Sequence, residues 1–285
     1  MTKNLLHIIF WASLILTGCN SAKSTVERVK PVNYIVLLDL SDRLTANGVI
    51  QADKVMINEV FKHFVSAVRQ NITINSSDKF NFRILPQKNN APALSGFENK
   101  LSIDMENIDI QYKNEKLEHL SLIIQPSLDS IYSIAYKGKN TNLYFGTDIW
   151  KYFNEQLSTD LSSNADNIVI VLTDGYFDFE NDQHALRNGN RFTSSSFYSR
   201  LQSLNWKEIS EKSDYGLIPI HFNTPFRCIV AGLNPKTSAL NELDKLTYFW
   251  EKWMKESGET DLTVISKSSA EKMKKLLTEA LNKKI

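Results

Sequence analysis

The stretch from Asn33 to Arg43 constrains this chain more than any other. Tyr34 to Leu38 is an unbroken apolar run, β-branched at Ile35 and Val36, and it stops abruptly at Asp39, Ser41 and Asp42. A run without polar alternation suits a strand buried on both faces of a mainly parallel sheet. Its carboxyl end then projects Asp39 and Ser41 from the sheet edge, where open α/β folds hold their ligands. A second stretch repeats the pattern, with Ile168 to Leu172 followed by Thr173, Asp174 and Gly175. Between the two, Gly146, Thr147 and Asp148 precede an apolar helical stripe of Ile149, Trp150, Phe153 and Leu157.

Strand and helix patterns alternate along the rest of the chain, which predicts helices packed on both faces of one sheet. Met56, Val60, Phe64 and Val68 recur every four residues and predict a core-facing helix over 52–69. Residues 78–85 read as a strand, 86–95 as a loop, and 107–112 as an alternating edge strand. A partly helical stretch follows over 117–136, with Pro126 marking a break. Strands are expected again at 227–231 and 261–265. Ser268 and Glu271 have capping-box spacing ahead of a last helix.

Asp39 and Ser41, then a lone Thr147, then Asp174 within Thr-Asp-Gly, form an ordered set. That set resembles the ligand loops of von Willebrand factor A (VWA) domains, and the resemblance covers the chain from about residue 33 to 285. It implies a Rossmann-like three-layer α/β/α sandwich, mainly parallel with one antiparallel edge strand. It also implies a metal site for Mg²⁺, or Mn²⁺ or Ca²⁺. Ser41 and Thr147 would bind the ion directly, and Asp39 and Asp174 directly or through water. Hydroxyls and carboxylates without His or Cys are the hard donors such ions prefer. One open coordination position would take an acidic side chain of a protein partner. Thr147 has a second reading, as a simple helix cap.

Arg43 stands where the family has a second metal-binding serine. Its charge would repel an ion; two unit charges ~6 Å apart cost about 3 kcal/mol at an effective dielectric near 20. Alternatively it turns outward and leaves Asp42 near the site, or its guanidinium replaces the ion between Asp39 and Asp174.

A short basic start, the apolar run to Leu16, and Leu16-Thr17-Gly18-Cys19 resemble a bacterial lipoprotein signal. Residues 1–19 are then the signal peptide, with Cys19 lipidated and set in the bilayer, and 20–32 a polar tether. By that resemblance, Asn20 in place of an aspartate and the lack of an acidic cluster after it imply the outer membrane, facing the periplasm. The second cysteine, Cys228, sits in an apolar run and reads as a buried thiol. A net charge of +1 over 285 residues, with no basic stripe, argues against nucleic acid as a partner.

The crossover at about 176–225 is long and leaves from the ligand edge. Tyr176, Phe177 and Asp178 at its start are candidate partner contacts. Asp178, Glu180 and Asp182 also suggest a calcium loop, but the EF-hand spacing is absent, and a solvated loop wall is the better reading. The expected function is therefore an envelope-anchored binding module rather than an enzyme. A metal-independent envelope scaffold is the alternative. A metal-dependent hydrolase of haloacid-dehalogenase-like architecture fits less well, because Ser41 stands where that fold needs a second acid.

Overall fold

A computed structural model describes residues 30–71, 73–88, 92–179, 185–238 and 241–283. Cys19, most of the tether, Glu180 and Asp182 lie outside the described residues.

The chain is α/β. Its main sheet has six strands, β1 (Val32–Leu38), β2 (Lys79–Ile84), β3 (Ile103–Asp104), β4 (Asp166–Leu172), β8 (Arg227–Leu233) and β9 (Leu262–Ser266). They lie in the order β3-β2-β1-β4-β8-β9, and only the β2–β3 pair is antiparallel. Taken as six consecutive strands the order is 3-2-1-4-5-6, so the connections change direction between β1 and β4. That crevice at the carboxyl ends is where a doubly wound sheet offers a ligand site.

Helices cover both faces of the sheet. Residues Tyr34, Val36 and Leu38 of β1 point into one core, and Ile35 and Leu37 into the other. On the first face lie α1 (Val49–Gln70), α2 (Pro92–Leu101), α3 (Lys113–Ala135) and α8 (Ala270–Leu281), through residues such as Met56, Leu94, Leu128 and Leu277. The second face carries α4 (Ile149–Glu155), α5 (Leu157–Asp160), α6 (Trp206–Lys212) and α7 (Glu242–Glu256). Its core is aromatic, with Phe153 5.1 Å from Trp253 and Phe177 4.8 Å from Trp250 between ring centroids. Each such ring contributes about 1.5–3 kcal/mol by leaving water. At the amino edge a buried amide ladder fixes register. Asn33 donates to Asn167 at 2.8 Å, and Asn81 donates to Asn33 at 2.9 Å.

Several expected elements lie elsewhere. The antiparallel strand is Ile103–Asp104, and the stretch expected to be that strand forms two 3-10 turns, Met105–Asn107 and Ile110–Tyr112. Asp104 accepts from Glu106 N and from Asn107, which favours a turn over an extended chain. Ile110 is 64% exposed, so the alternation there did not encode burial. The loop expected over 86–95 gives way to α2 at Pro92, a residue suited to the first helical turn. Pro126 does not break α3, because it lies on the exposed face, where the carbonyl it leaves unpaired meets water. The last helix is capped by Ser269 rather than Ser268.

The long crossover is ordered over its described parts. Three short strands, β5 (Arg187–Asn188), β6 (Arg191–Phe192) and β7 (Gly216–Leu217), form a second small sheet. Between β6 and β7 the chain forms a 3-10 turn, Ser195–Arg200, followed by α6.

Candidate functional site

The carboxyl edge of β1 and β4 brings the acids together. Asp39 follows β1 and is 1% exposed. One of its oxygens accepts from Ser41 N and the other from Thr173 Oγ1, both at 2.8 Å. Asp174 follows β4 and is 4% exposed. Burial pushes its carboxyl up to about 7; Asp39 and Asp178 add to the rise, and Lys236 and Arg43 oppose it.

Thr147 reaches the same edge through the loop that carries it. It bridges to Gln87 just past β2, and Asp148 N donates to Pro86 O at 2.8 Å. On its other side Gly146 packs against the Asp178 carbonyl so closely that any side chain there would collide with it. The cap of α4 is Asp148, whose carboxylate accepts from Lys151 N at 2.9 Å, so Thr147 does not serve as the cap.

Arg43 takes none of the three dispositions open to it in the sequence. Its guanidinium turns inward and pairs in two places with Asp53 of α1, at 2.8 and 2.9 Å, while donating to Asp39 O at 3.0 Å. Tyr132 of α3 donates to the same Asp53 at 2.9 Å. Arg43 neither bridges the carboxylates of Asp39 and Asp174 nor points to solvent. Burial works against its charge, but Asp53 outweighs burial, and its pKa lies above the ordinary value. Gly232, at φ +104°, gives the guanidinium room, since a side chain there would press on Arg43 Nη2 and on Thr173 O.

The cation at this edge is Lys236, from the loop after β8. Its ammonium lies 3.0 Å from Asp42, 3.0 Å from Asp178 and 3.7 Å from Asp174. It also sits 4.9 Å from the centre of the Tyr176 ring, whose hydroxyl accepts from Lys236 N at 3.1 Å. Tyr176 in turn donates to Glu242. Burial opposes the ammonium, but Asp174, Asp178 and Asp42 together raise its pKa above the ordinary value. Of the three candidate partner contacts, Tyr176 and Phe177 are buried at 8% and 2% exposure, so their rings belong to the core. Asp178 is the one whose side chain reaches solvent, at 34%.

These residues do not fit a resident divalent ion while Lys236 stays in place. Among the described residues no group of three or more His, Cys, Asp or Glu side chains is arranged to hold a metal. An ion sharing the ammonium's carboxylates would lie within ~4 Å of it, a repulsion of about 8 kcal/mol for a double charge at an effective dielectric near 20. Both Asp39 oxygens are already engaged by donors. Comparison with protein-family models, curated proteins and solved structures gave no match.

Sequence reasoning missed Lys236, Asp53 and Tyr132. Asp53 carried a signal, an acid three residues before Met56 on the apolar face of a helix. Lys236 carried none, since it follows the exit turn of a strand as any solvated lysine would.

Proposed function

We propose that the chain is a VWA-like protein-binding module, held to a bacterial envelope by lipid on Cys19, whose carboxyl edge engages its partner without a divalent ion. The observation that carries this reading is the Lys236 ammonium among Asp42, Asp174 and Asp178, at the edge where the family resemblance would put an ion. The strand order and the placement of Asp39, Asp174 and the Thr147 loop on one edge support the VWA-like part. The chain enters the sheet at Val32, on the amino edge, so a tether from Cys19 would leave the carboxyl edge facing away from the bilayer. A periplasm-facing outer-membrane position follows from the signal alone. Among the described residues no helix is long and apolar enough to cross a membrane.

An acidic partner group was expected because an ion would attract it. With an ammonium instead of an ion, nothing at this edge calls for a carboxylate, and the half-buried Asp42 and Asp178 favour a donor or a basic side chain on the partner. Asp39 is buried with both oxygens bonded, which favours binding over nucleophilic catalysis.

The test is capture of a partner from solubilised membranes by the full-length protein, with chelator or with Mg²⁺. Equal capture in both, lost when Asp42→Lys and Asp178→Lys are combined in a chain that still folds, is the expected result. Capture that requires Mg²⁺ would restore the metal-dependent reading. Unchanged capture by the double variant would move the binding surface elsewhere.

A further inference from the structure

We infer that the amino edge of the sheet carries a bilayer-contacting patch, formed by Ile74, Ile110 and Tyr112, that seats the domain on the membrane holding its anchor. The inference rests on the lipid-anchor reading above and goes beyond it by naming the surface that meets the lipid.

Three 3-10 turns build the patch. Thr73–Asn75 lies between α1 and β2, and Met105–Asn107 and Ile110–Tyr112 lie between β3 and α3. Lys79, the first residue of β2, pairs with Asn33 on one side and Asp104 on the other, so all three turns sit at the end where β1 begins. Ile74, Ile108 and Ile110 line one open groove between them. Ile74 is 43% exposed, Ile110 64% and Tyr112 46%. Single exposed apolar side chains are ordinary, but several gathered about one groove mark a contact surface.

Where the tether ends says what covers this groove. Val32 N donates to one oxygen of Asp78 at 2.8 Å, and Ser76 Oγ donates to the other at 2.7 Å. Lys113 Nζ then donates to Ser76 O at 2.7 Å. Asp78 and Ser76 are fully buried, so these bonds are shielded from water. They tie the point of tether entry to Ser76, just after the first turn, and to Lys113, just after the last. A tether from Cys19 to Val32 reaches at most ~45 Å even when fully extended. Confinement on that scale amounts to an effective concentration of about millimolar, which populates contacts too weak to hold a free protein.

The patch offers apolar contact and no surplus of positive charge. Lys79 beside it is engaged by Asp104 at 2.9 Å and by Glu106 at 3.1 Å, and Glu106 and Asp109 are exposed at the rim. Isoleucine side chains enter the acyl boundary, and a tyrosine ring settles at headgroup level with its hydroxyl in water. Contact is therefore expected on zwitterionic lipid and is insensitive to salt.

The experiment places the full-length protein on phosphatidylcholine vesicles with a photoactivatable diazirine in the acyl chain, and maps lipid-bearing peptides by mass spectrometry. Where the purified chain lacks lipid, Cys19 is coupled to a maleimide phospholipid, so failure of the anchor and failure of the patch are read separately. The control is Leu143, 50% exposed on the turn packed beside Asp42–Thr45 at the opposite edge. Peptides holding Ile74 and residues 105–112 should carry at least about fivefold more lipid than the Leu143 peptide. Ile74→Ser, Ile110→Ser and Tyr112→Ser combined should bring them down to the Leu143 level, with the dichroism of the folded chain unchanged. If that chain does not fold, Ile110→Ser alone should remove about half of the excess label. Equal labelling of the two edges, labelling that survives these variants, or labelling that needs anionic lipid would overturn the inference. Unlabelled 105–112 peptides in a chain that elutes as a dimer would give the groove to a second copy instead.

Discussion

Arg43 and Asp53 are 3% and 1% exposed at their side chains and satisfy each other's charge. Arg43→Ser restores the hydroxyl of the VWA pattern on paper. In this fold it strands Asp53 beside Tyr132 with no cation, and breaking one half of a buried pair costs about 3–5 kcal/mol. The expected outcome is a large drop in urea stability without any gain in Mn²⁺ affinity. Asp174 makes a different prediction. Its carboxyl is raised from an ordinary 3.8 to about 7 in the folded chain, so the stability it lends belongs to the protonated form. That contribution is complete below pH about 4 and is lost as pH climbs through about 7. Urea melts across this window should show stability falling with pH, and Asp174→Asn should flatten the slope. A slope unchanged by that substitution would assign the titration to another group.

At the scale of elements, the buried strands were legible because continuous apolar runs admit few other fates. The 7-residue strands Val32–Leu38 and Asp166–Leu172 end at the acids that closed those runs in the sequence. The antiparallel edge was illegible for a physical reason. Ile108, Ile110 and Tyr112 alternate, but Asp104 had already turned the chain through its side chain, and local polar bonds outcompeted pairing. Helix α3 shows propensity overridden by packing. Leu120, Leu128 and Ile131 bury its inner face and carry the helix through Pro126. Pro126→Ala should therefore raise stability, by about 1–3 kcal/mol given proline's cost in a helix interior. Helix α4 starts on a side-chain cap, and Asp148→Ala should cost about 1 kcal/mol in the same assay. A neutral Asp148→Ala would mean that the loop around Thr147 is held by Gln87 and Pro86 alone.

At the scale of the whole molecule, a site assembled by topology is hidden from any local reading. Asp42 and Lys236 are 194 positions apart, and only the adjacency of β1, β4 and β8 makes them neighbours. Asp39, Ser41, Thr147 and Asp174 could be singled out because each ends or begins an element with a visible pattern. Lys236 could not, since nothing in its own loop distinguishes it from a solvated lysine. Anchoring also belongs to this scale. Cys19→Ala is expected to abolish incorporation of a palmitate analogue and to release the chain from membranes; equal labelling of both forms would remove the lipid anchor.

The two faces of the sheet differ in composition as well as in helices. Trp206, Trp250 and Trp253 belong to the second core, and Trp150 packs against it, while the first core holds no tryptophan among its described residues. The intrinsic ultraviolet emission of the folded domain is thus a one-sided optical gauge. It follows the environment of α4, α6 and α7 and is nearly blind to α1, α3 and α8. Denaturation followed by emission and by far-ultraviolet dichroism should coincide if the two faces melt as one cooperative body. A dichroism midpoint at lower urea than the emission midpoint would show the aliphatic face giving way while the aromatic one persists.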